Sequence, residues 1–483
     1  MLSPIDEETP WLPPSQHKSR TPLPWPQFSL VLFLKLADPL ASQVFYPLIP
    51  QLIRDIGITH GDESKVGYYT GLLHSLPLVT RAIMVLYWSS LSDRVGRKPV
   101  ILVGMFGISL SMYCFGLSKT FWGLLARSKS IPHWRFESQC NHTEKVGDLP
   151  LAYSYAPLGW TVGEALGSII GGSLSRPAEQ FPSLFGNNVF LKKYPYFLPC
   201  AVPATFAAFA GVVTFLFFKE TIPSPTSAIR LCPSRRGYSV LRNVVDAREP
   251  SAVVARGPAN NRTPSDMRSL LTRRVVIAAG NFAVLSLVGV AFMVTQPLFF
   301  STPIAFGGLG LSPSIIGKLL FAHSIISGAS QLCFFSRIHE HWGSKKAYQV
   351  GMSSMFLAFG AFPLMNHIAR TEGLSLSVWA VVAFQVVTST GLNVCFSASF
   401  IFITEASPNR VSLGATHGMS QVLASITTIA APAVANSLFS LSMSENYLGG
   451  YLVYYVLIVL VCFAMMVASL LPRNPRAEAI SLR

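Results

Sequence analysis

Charge is what this sequence lacks. Only 12% of its 483 residues are Asp, Glu, Lys or Arg, while 51% are hydrophobic. A soluble protein carries roughly 25% charged residues, so an ordinary water-soluble domain is excluded, and the mean hydropathy of +0.45 points the same way. Acid is the scarcer sign: 22 Asp and Glu against 37 Lys and Arg give a net charge of +15. The seven cysteines show no spacing of a disulfide framework or a zinc site. Cys114, Cys200, Cys333, Cys395 and Cys462 fall in apolar runs, where free thiols behave as small hydrophobes. No Walker sequence is present, which argues against ATP as the energy source; the "GGLG" at Gly307 lacks the Lys-Ser/Thr ending. His133, Cys140 and His142 match no metal-ligand template, and no nucleophile–base pair stands near the apolar runs. An enzyme is therefore not expected, nor any metal or cofactor. The first residues lack the cationic start and apolar core of a signal peptide and read as a disordered cytoplasmic tail, 1–27.

What is present in quantity is apolar sequence. A membrane-crossing helix needs about 20 mostly apolar residues. Eleven clear runs qualify: 28–49, 66–88, 100–117, 151–174, 196–218, 275–300, 315–335, 347–365, 378–403, 415–439 and 449–471. A twelfth, fourth in order, begins "FWGLLAR" at Phe121 and then breaks into "SKSIPHWRFESQCNHTEKVGDL", residues 128–149. The expected fold is an all-α membrane protein of six plus six spans. A basic, Ser- and Pro-rich cytoplasmic linker, 219–274, separates an N-terminal half, 28–218, from a C-terminal half, 275–471, with a short tail at 472–483. The chain's partners are then the bilayer, a small-molecule substrate and protons; no nucleic-acid module is visible, and a monomer is expected.

The halves contain a repeat. "SLSDRVGRKPVILVG" follows span 2 and "RIHEHWGSKKAYQVG" follows span 8. Aligned, Asp93 meets Glu340, Gly96 meets Gly343, Lys98 meets Lys345 and Gly104 meets Gly351. Repeats six spans apart are a transporter architecture. The cations test the topology. Loops 2–3, 6–7 and 8–9 are basic, while loops 7–8, 9–10 and 11–12 are nearly free of Lys and Arg. The basic loops all face the cytoplasm, as the positive-inside rule asks, only if the broken segment is counted as a crossing. Yet that segment carries Lys129, Arg135, Glu137, Glu144, Lys145 and Asp148, with Pro132 besides. Each central charge costs about 2.5–3.5 kcal/mol on insertion. A crossing is required where these residues cannot make one.

The loop after span 2 identifies a family. "SLSDRVGRKP" resembles the loop signature of the major facilitator superfamily, Gly-x-Leu-Ser/Ala-Asp-Arg-x-Gly-Arg-Arg/Lys, with Ser89 in place of the leading glycine. Span 5, "GWTVGEALGSIIGG", resembles the glycine signature of the superfamily's proton-coupled antiporters, with Ser168 where a proline is usual and Glu164 as an unusual acid. "SLSRPAEQFPSLFGNNVFLKKYPYFLP" and "SLGATHGMSQVLASI" are similar to fungal general substrate transporters related to the zinc-induced-facilitator-like group. The resemblance implies a secondary active transporter, a drug:proton type antiporter working by alternating access, multi-pass, in the plasma or vacuolar membrane, with both termini cytoplasmic. It is lost over 128–149 and resumes at "AYSYAPLGW". Loss and recovery at near-normal length is the pattern of a misread reading frame or exon boundary. A transport-inactive membrane protein and a nutrient sensor therefore stand as alternatives.

Charges inside membrane spans are costly and face a partner or a water-filled cavity. Lys35 and Asp38 share a face of span 1 three residues apart; a coupling role and a static ion pair are both open. Glu164 is the second coupling candidate, and Arg81 can instead snorkel to an interface. Arg127 matches the family's span 4 arginine. The resemblance makes Asp93, Arg94, Gly96, Arg97 and Lys98 a cytoplasmic latch; orientation by charge alone is the plainer reading. Gly159, Gly163, Gly167 and Gly171 recur every four residues, with Gly172 beside them, a face suited to close helix packing and, by resemblance, to an antiport gate. Gln385 and Asn393 are the leading candidates for substrate contact, with Gln421 and His323 behind them. Asn281, Gln296 and His417 read as interhelical hydrogen-bonding groups. If Asp38 carries protons, Asp38→Asn abolishes proton-coupled flux in vesicles while expression is unchanged; normal flux in that variant removes Asp38 from the mechanism.

Overall fold

The structure is a computed structural model that describes residues 25–95, 97–128, 149–218, 272–407 and 413–471. These residues are helical throughout apart from short connections, with no strand among them. Span 1 comprises Trp25–Gln43 and Phe45–Ile56, broken at Val44. Span 2 is Val66–Val95, span 3 Arg97–Gly116, span 5 Leu149–Ser173 and span 6 Phe197–Phe217. In the second half, span 7 is Arg273–Ser301 and span 8 Pro313–Cys333. Span 9 lies in Phe335–Glu372, span 10 is Leu376–Ser389 with Gly391–Ala406, span 11 is Leu413–Thr428 with Ala431–Ser444, and span 12 is Leu452–Ser469. Seven of these rods are long and apolar enough by themselves to cross a membrane. All eleven predicted runs are helical, and the ends shift. The first helix starts at Trp25, inside the segment read as tail, and Arg273 and Arg274, assigned to the linker, open span 7. Residues 1–24, 219–271 and 472–483 lie outside the described set.

Local chemistry explains where helices stop. Gly57 takes a left-handed conformation, φ 72°, and its N–H returns to the Arg54 carbonyl at 3.1 Å, closing span 1. Span 7 opens on Thr272, whose hydroxyl accepts from the Val275 N–H at 3.4 Å. Pro313 stands at the start of span 8, where its missing N–H costs nothing. Gly343 has φ 72° and ψ 165° and separates the loop helix from span 9 proper. This is the repeat glycine, and an L side chain there is strained.

Span 5 is the packing axis of the first half. A methyl group added at Gly163 would lie 2.5 Å from the Pro39 ring and 2.9 Å from the Leu36 carbonyl oxygen. At Gly167 it would meet the Leu40 carbonyl at 2.8 Å, and at Gly171 the Val44 Cα at 2.9 Å. Gly159 lies over Leu32 and Lys35. The residue numbers on the two helices rise together, so spans 1 and 5 run parallel. Spans 3 and 6 run antiparallel: Gly116 meets Phe197 and Cys200, while Gly211 meets Met105. Both directions require a crossing between span 3 and span 5, as the loop charges do. Helix Phe121–Ser128 begins that crossing. Eight residues rise about 12 Å, against about 30 Å of hydrocarbon. The charged stretch that follows lies outside the described residues.

The outward faces of the bundle are apolar, as a lipid contact requires: Phe106, Phe209, Phe215 and Val459 are all well exposed. Glycine at the span 1–span 5 contact is then a steric necessity. Gly171→Val overpacks the seam and destabilises the protein by about 1–3 kcal/mol, read as a lower thermal midpoint in detergent. Gly360, with nothing within 4 Å of an added methyl, is the control, and Gly360→Ala leaves the midpoint unchanged or slightly higher.

Candidate functional site

Span 5 presents two working faces. The glycines Gly159, Gly163, Gly167 and Gly171 lie on span 1, whereas Gly172 belongs to a different contact: an added methyl there would approach Gly317 Cα of span 8 to 2.7 Å. Thr161 and Ser168 also face span 8, against Gly328 and Gly317. Val162 and Leu166, exposed, mark the lipid side. By helical spacing, Glu164 falls between the span 1 face and the span 8 face, away from lipid. Its carboxylate forms no hydrogen bond or ion pair with a described residue. It lies within electrostatic range of Tyr46, and the Tyr46 ring stacks on His74 of span 2, centroids 4.9 Å apart and 18° from parallel. The His74 Nε2 is buried with no hydrogen-bond partner among the described residues.

No ion pair joins Lys35 to Asp38 among the described residues. Asp38 is buried and has a partner of its own, and Lys35 is half-buried beside Gly159. The Arg127 side chain lies outside the described residues.

In the second half Gln385 is wholly buried and occupied at both ends. It accepts from Gln296 Nε2 at 3.3 Å and donates to the Ala358 carbonyl at 3.0 Å. In this conformation it ties spans 7, 9 and 10 together through these two hydrogen bonds. Asn393 and Gln421 are half-buried. His323 is half-buried on span 8, with its Nε2 3.5 Å from Ser327 Oγ. His417 pairs with Thr404 at 3.1 Å and Asn281 lies at Tyr348, both between helices.

The two halves meet along two related seams. Span 5 meets span 8 at Gly172 and Gly317, and span 2 meets span 11 at Gly67 and Gly71. A methyl added at Gly71 would lie 2.7 Å from the Pro432 carbonyl, and one at Gly67 2.6 Å from the Asn436 carbonyl. The Ala433 N–H crosses to Ser75 Oγ at 3.0 Å. The six-span repeat maps span 2 onto span 8 and span 11 onto span 5, so each seam is the image of the other. These glycine contacts lie at the end of the bundle that carries loops 1–2, 5–6, 7–8 and 11–12, and the span 5–span 8 contact continues to Thr161 and Gly328. The Asn436 side-chain amide and the Ser440 hydroxyl are buried in the second seam with no hydrogen-bond partner among the described residues.

The signature loop divides between two helices. Asp93 and Arg94 close span 2, and Arg97 and Lys98 open span 3. Gly96 and the side chains of Asp93, Arg94 and Arg97 lie outside the described residues. Lys98 places its ammonium 5.6 Å from the Phe215 ring at the end of span 6. Its repeat partner Lys345 donates to the Ser469 carbonyl at 2.7 Å and to the Leu471 carbonyl, at the end of span 12. Each lysine therefore holds the last helix of its own half, and Lys345 satisfies carbonyls left open at a helix end.

Sequence reasoning missed a network at the opposite end. Arg176 donates from Nε to Asp55 at 3.0 Å, pairs with Asp55 again through Nη2, and reaches Glu179 at 3.1 Å. The Tyr196 hydroxyl also donates to Asp55. Arg54 pairs with Glu63 at 2.9 Å. Asp62 caps the next turn, and hydrogen bonds from Ser64 and Lys65 hold its carboxyl below the usual range. A cleft of about 510 Å³, lined by Asp55, Arg176, Glu179 and Lys192 among others, opens beside this network. Arg176 sits at φ 50°, strained for a non-glycine residue. The only sequence cue was the "SLSRPAEQF" stretch itself.

A helical bundle with repeated halves, glycine seams between them and acids within its spans has the architecture of a membrane transporter of the facilitator type. The profile of the Major Facilitator Superfamily matches residues 31–128 and 142–432; the chain belongs to this superfamily. The match is interrupted after residue 128, where the resemblance read from the sequence is also lost, and resumes at residue 142. Major facilitator-type transporter psiT2 of Psilocybe cyanescens is 28% identical over 91% of this chain and 89% of its own. Protein ZINC INDUCED FACILITATOR-LIKE 1 of Arabidopsis thaliana is 27% identical over 86% and 84%. Among solved structures, a bacterial homolog of the human lysosomal transporter Spinster, inward-facing and unoccupied, superposes with a TM-score of 0.65 at 12% identity, covering 93% of this chain and 98% of that one.

The Arg176–Asp55 pair is partly exposed, so its worth is modest. A double-mutant cycle of Arg176→Gln and Asp55→Asn gives a coupling on the order of 1 kcal/mol in thermal or denaturant unfolding. Additive effects would show that the pair contributes nothing.

Proposed function

We propose that this protein exchanges a small organic solute, or a metal chelate, against protons by alternating access. The observation that carries this reading is the pair of seams between the halves. Each is made of backbone approaching backbone across glycine, so the halves fit closely without interlocking side chains. The second seam also buries the Asn436 amide unsatisfied. A buried unpaired polar group costs about 1–3 kcal/mol, which is recovered when water reaches it. A contact that is close, smooth and under-satisfied is one that can part. With the basic loops at the cytoplasmic side, the Gly172–Gly317 and Gly71–Pro432 contacts lie toward the face away from the cytoplasm. The proton-binding groups in this reading are Asp38 and Glu164, acids within the spans. The termini lie in the cytoplasm, the membrane is the plasma or vacuolar one, and the monomer is the working unit.

A second reading has an observation of its own. The family match is interrupted over 129–141, within the segment that a fourth crossing needs. A chain without a competent span 4 would fold its remaining helices and not transport, or would bind a solute as a sensor without moving it. One experiment separates these. In proteoliposomes holding a preformed pH gradient, a transported solute from a panel of amines, organic acids and metal chelates discharges the gradient. Discharge by the chain as written supports antiport. Discharge only after residues 129–148 are replaced by an apolar Gly/Asn-rich helix supports the inactive reading. Discharge by neither sinks antiport.

A further inference from the structure

We infer that the aromatic cluster where spans 3 and 6 meet loops 3–4 and 5–6 is a binding site for an anionic phospholipid. Lys119 and Lys193 hold its phosphate, and its acyl chains lie along the exposed rings and apolar side chains beneath them. The site belongs to the leaflet away from the signature loops and goes beyond the transport reading above.

Two cations are gathered here without an acid. The Lys119 ammonium lies 4.9 Å from the centroid of the Tyr194 ring, and the Lys193 ammonium lies 5.8 Å from the same centroid. Both lysines are exposed, and neither forms an ion pair with a described residue. Like charges brought to one ring repel each other unless an anion joins them. The acids of the first half at this end are committed: Asp55 and Glu179 to Arg176, Glu63 to Arg54, and Asp62 to Lys65. Lysines here also run against the charge rule that orients the chain, since loops 7–8, 9–10 and 11–12 are nearly free of them.

The surroundings are those of a bilayer surface. Val103, Phe106, Leu110 and Leu117 are exposed and recur at helical spacing, so they mark the lipid side of span 3, and Tyr113 falls in the same stripe. From Tyr113 the rings continue to the lysines. Phe197, opening span 6, lies 6.2 Å from Tyr113; Phe190 lies 5.0 Å from Phe197; and Tyr194 lies 5.2 Å from Phe190, centroid to centroid. Phe190 is 44% exposed and Val189 77% exposed, on the short helix Val189–Lys193, whose Leu191 is buried. Trp122, 71% exposed, stands three residues beyond Lys119. Apolar groups this exposed are unfavourable in water. Beside the last turn of span 3 and the first of span 6, they lie at the depth where aromatic rings collect in membranes. Lysine stems run along such a surface and carry their ammoniums to the phosphates. A neutral partner would leave the two charges unmatched.

The test places the full-length chain in phosphatidylcholine nanodiscs carrying spin-labelled phosphatidylglycerol or spin-labelled phosphatidylcholine. Electron spin resonance then reports the lipid held immobile at the protein surface. The unsubstituted chain should hold phosphatidylglycerol in preference. Lys119→Gln combined with Lys193→Gln should lower that preference about twofold or more, while Lys119→Arg combined with Lys193→Arg keeps it. The basic linker is common to every variant, so only the difference counts. Val189→Trp adds a reporter, whose emission should be quenched by lipids brominated in the acyl chain and spared by aqueous iodide. All three substituted side chains are exposed, and thermal midpoints matched to the unsubstituted protein exclude misfolding. No preference in the unsubstituted chain, or a preference unchanged in the glutamine variant, overturns the inference. So does quenching of the added tryptophan by iodide alone, which would assign that face to a soluble partner or a second copy of the chain. Neither readout needs flux, so a chain that discharges no gradient fails the transport reading and leaves this one standing.

Discussion

The close approach of backbone to backbone along span 5 is the constraint on which the rest of this structure depends. Four glycines on one side admit span 1, and Gly172 on another admits span 8. Apolar side chains gain little from meeting each other in lipid, because lipid is equally apolar. Packing contact between smooth helix faces is what remains to hold spans together. A single methyl group on either face would displace a helix that also carries Lys35, Asp38 and Tyr46, or one that carries His323. The position of every candidate polar group follows from these contacts.

The same helix settles a question of topology. Loop charge demanded a fourth crossing from the positive-inside rule, and the parallel register of Gly159, Gly163, Gly167 and Gly171 with residues 32–44 demands it from geometry. Neither argument depends on the residues in between. Two independent constraints therefore surround a segment whose own composition opposes them, and the family match breaks at the same place. The contradiction belongs to residues 128–149 and not to the bundle around them.

Polar groups inside the bundle sort by what they touch. Gln385, which looked like a substrate ligand from its place in span 10, spends both ends of its amide on Gln296 and Ala358. Glu164, an oddity in a glycine signature, forms no hydrogen bond or ion pair through its carboxylate with a described residue. Lys98 and Lys345, which the repeat aligned, hold equivalent helices in the two halves by different chemistry, an aromatic ring in one and helix-end carbonyls in the other. Asn436 lies unsatisfied in a seam that no motif announced.

The sequence by itself determined the membrane class, eleven of the spans, the six-span repeat, the superfamily and the need for a crossing that residues 128–149 do not supply. These are legible because they rest on composition, on runs about 20 residues long and on motifs within one loop or one helix turn, all local along the chain. Tertiary structure alone decided which small residues of spans 2, 5, 8 and 11 meet, that Lys35 and Asp38 are unpaired with each other, and that Arg176 reaches Asp55 across 121 positions. It also decided that Tyr46 lies within electrostatic range of Glu164 and stacks on His74. Helical spacing tells which residues share a face, and only the packing of other helices tells what that face meets.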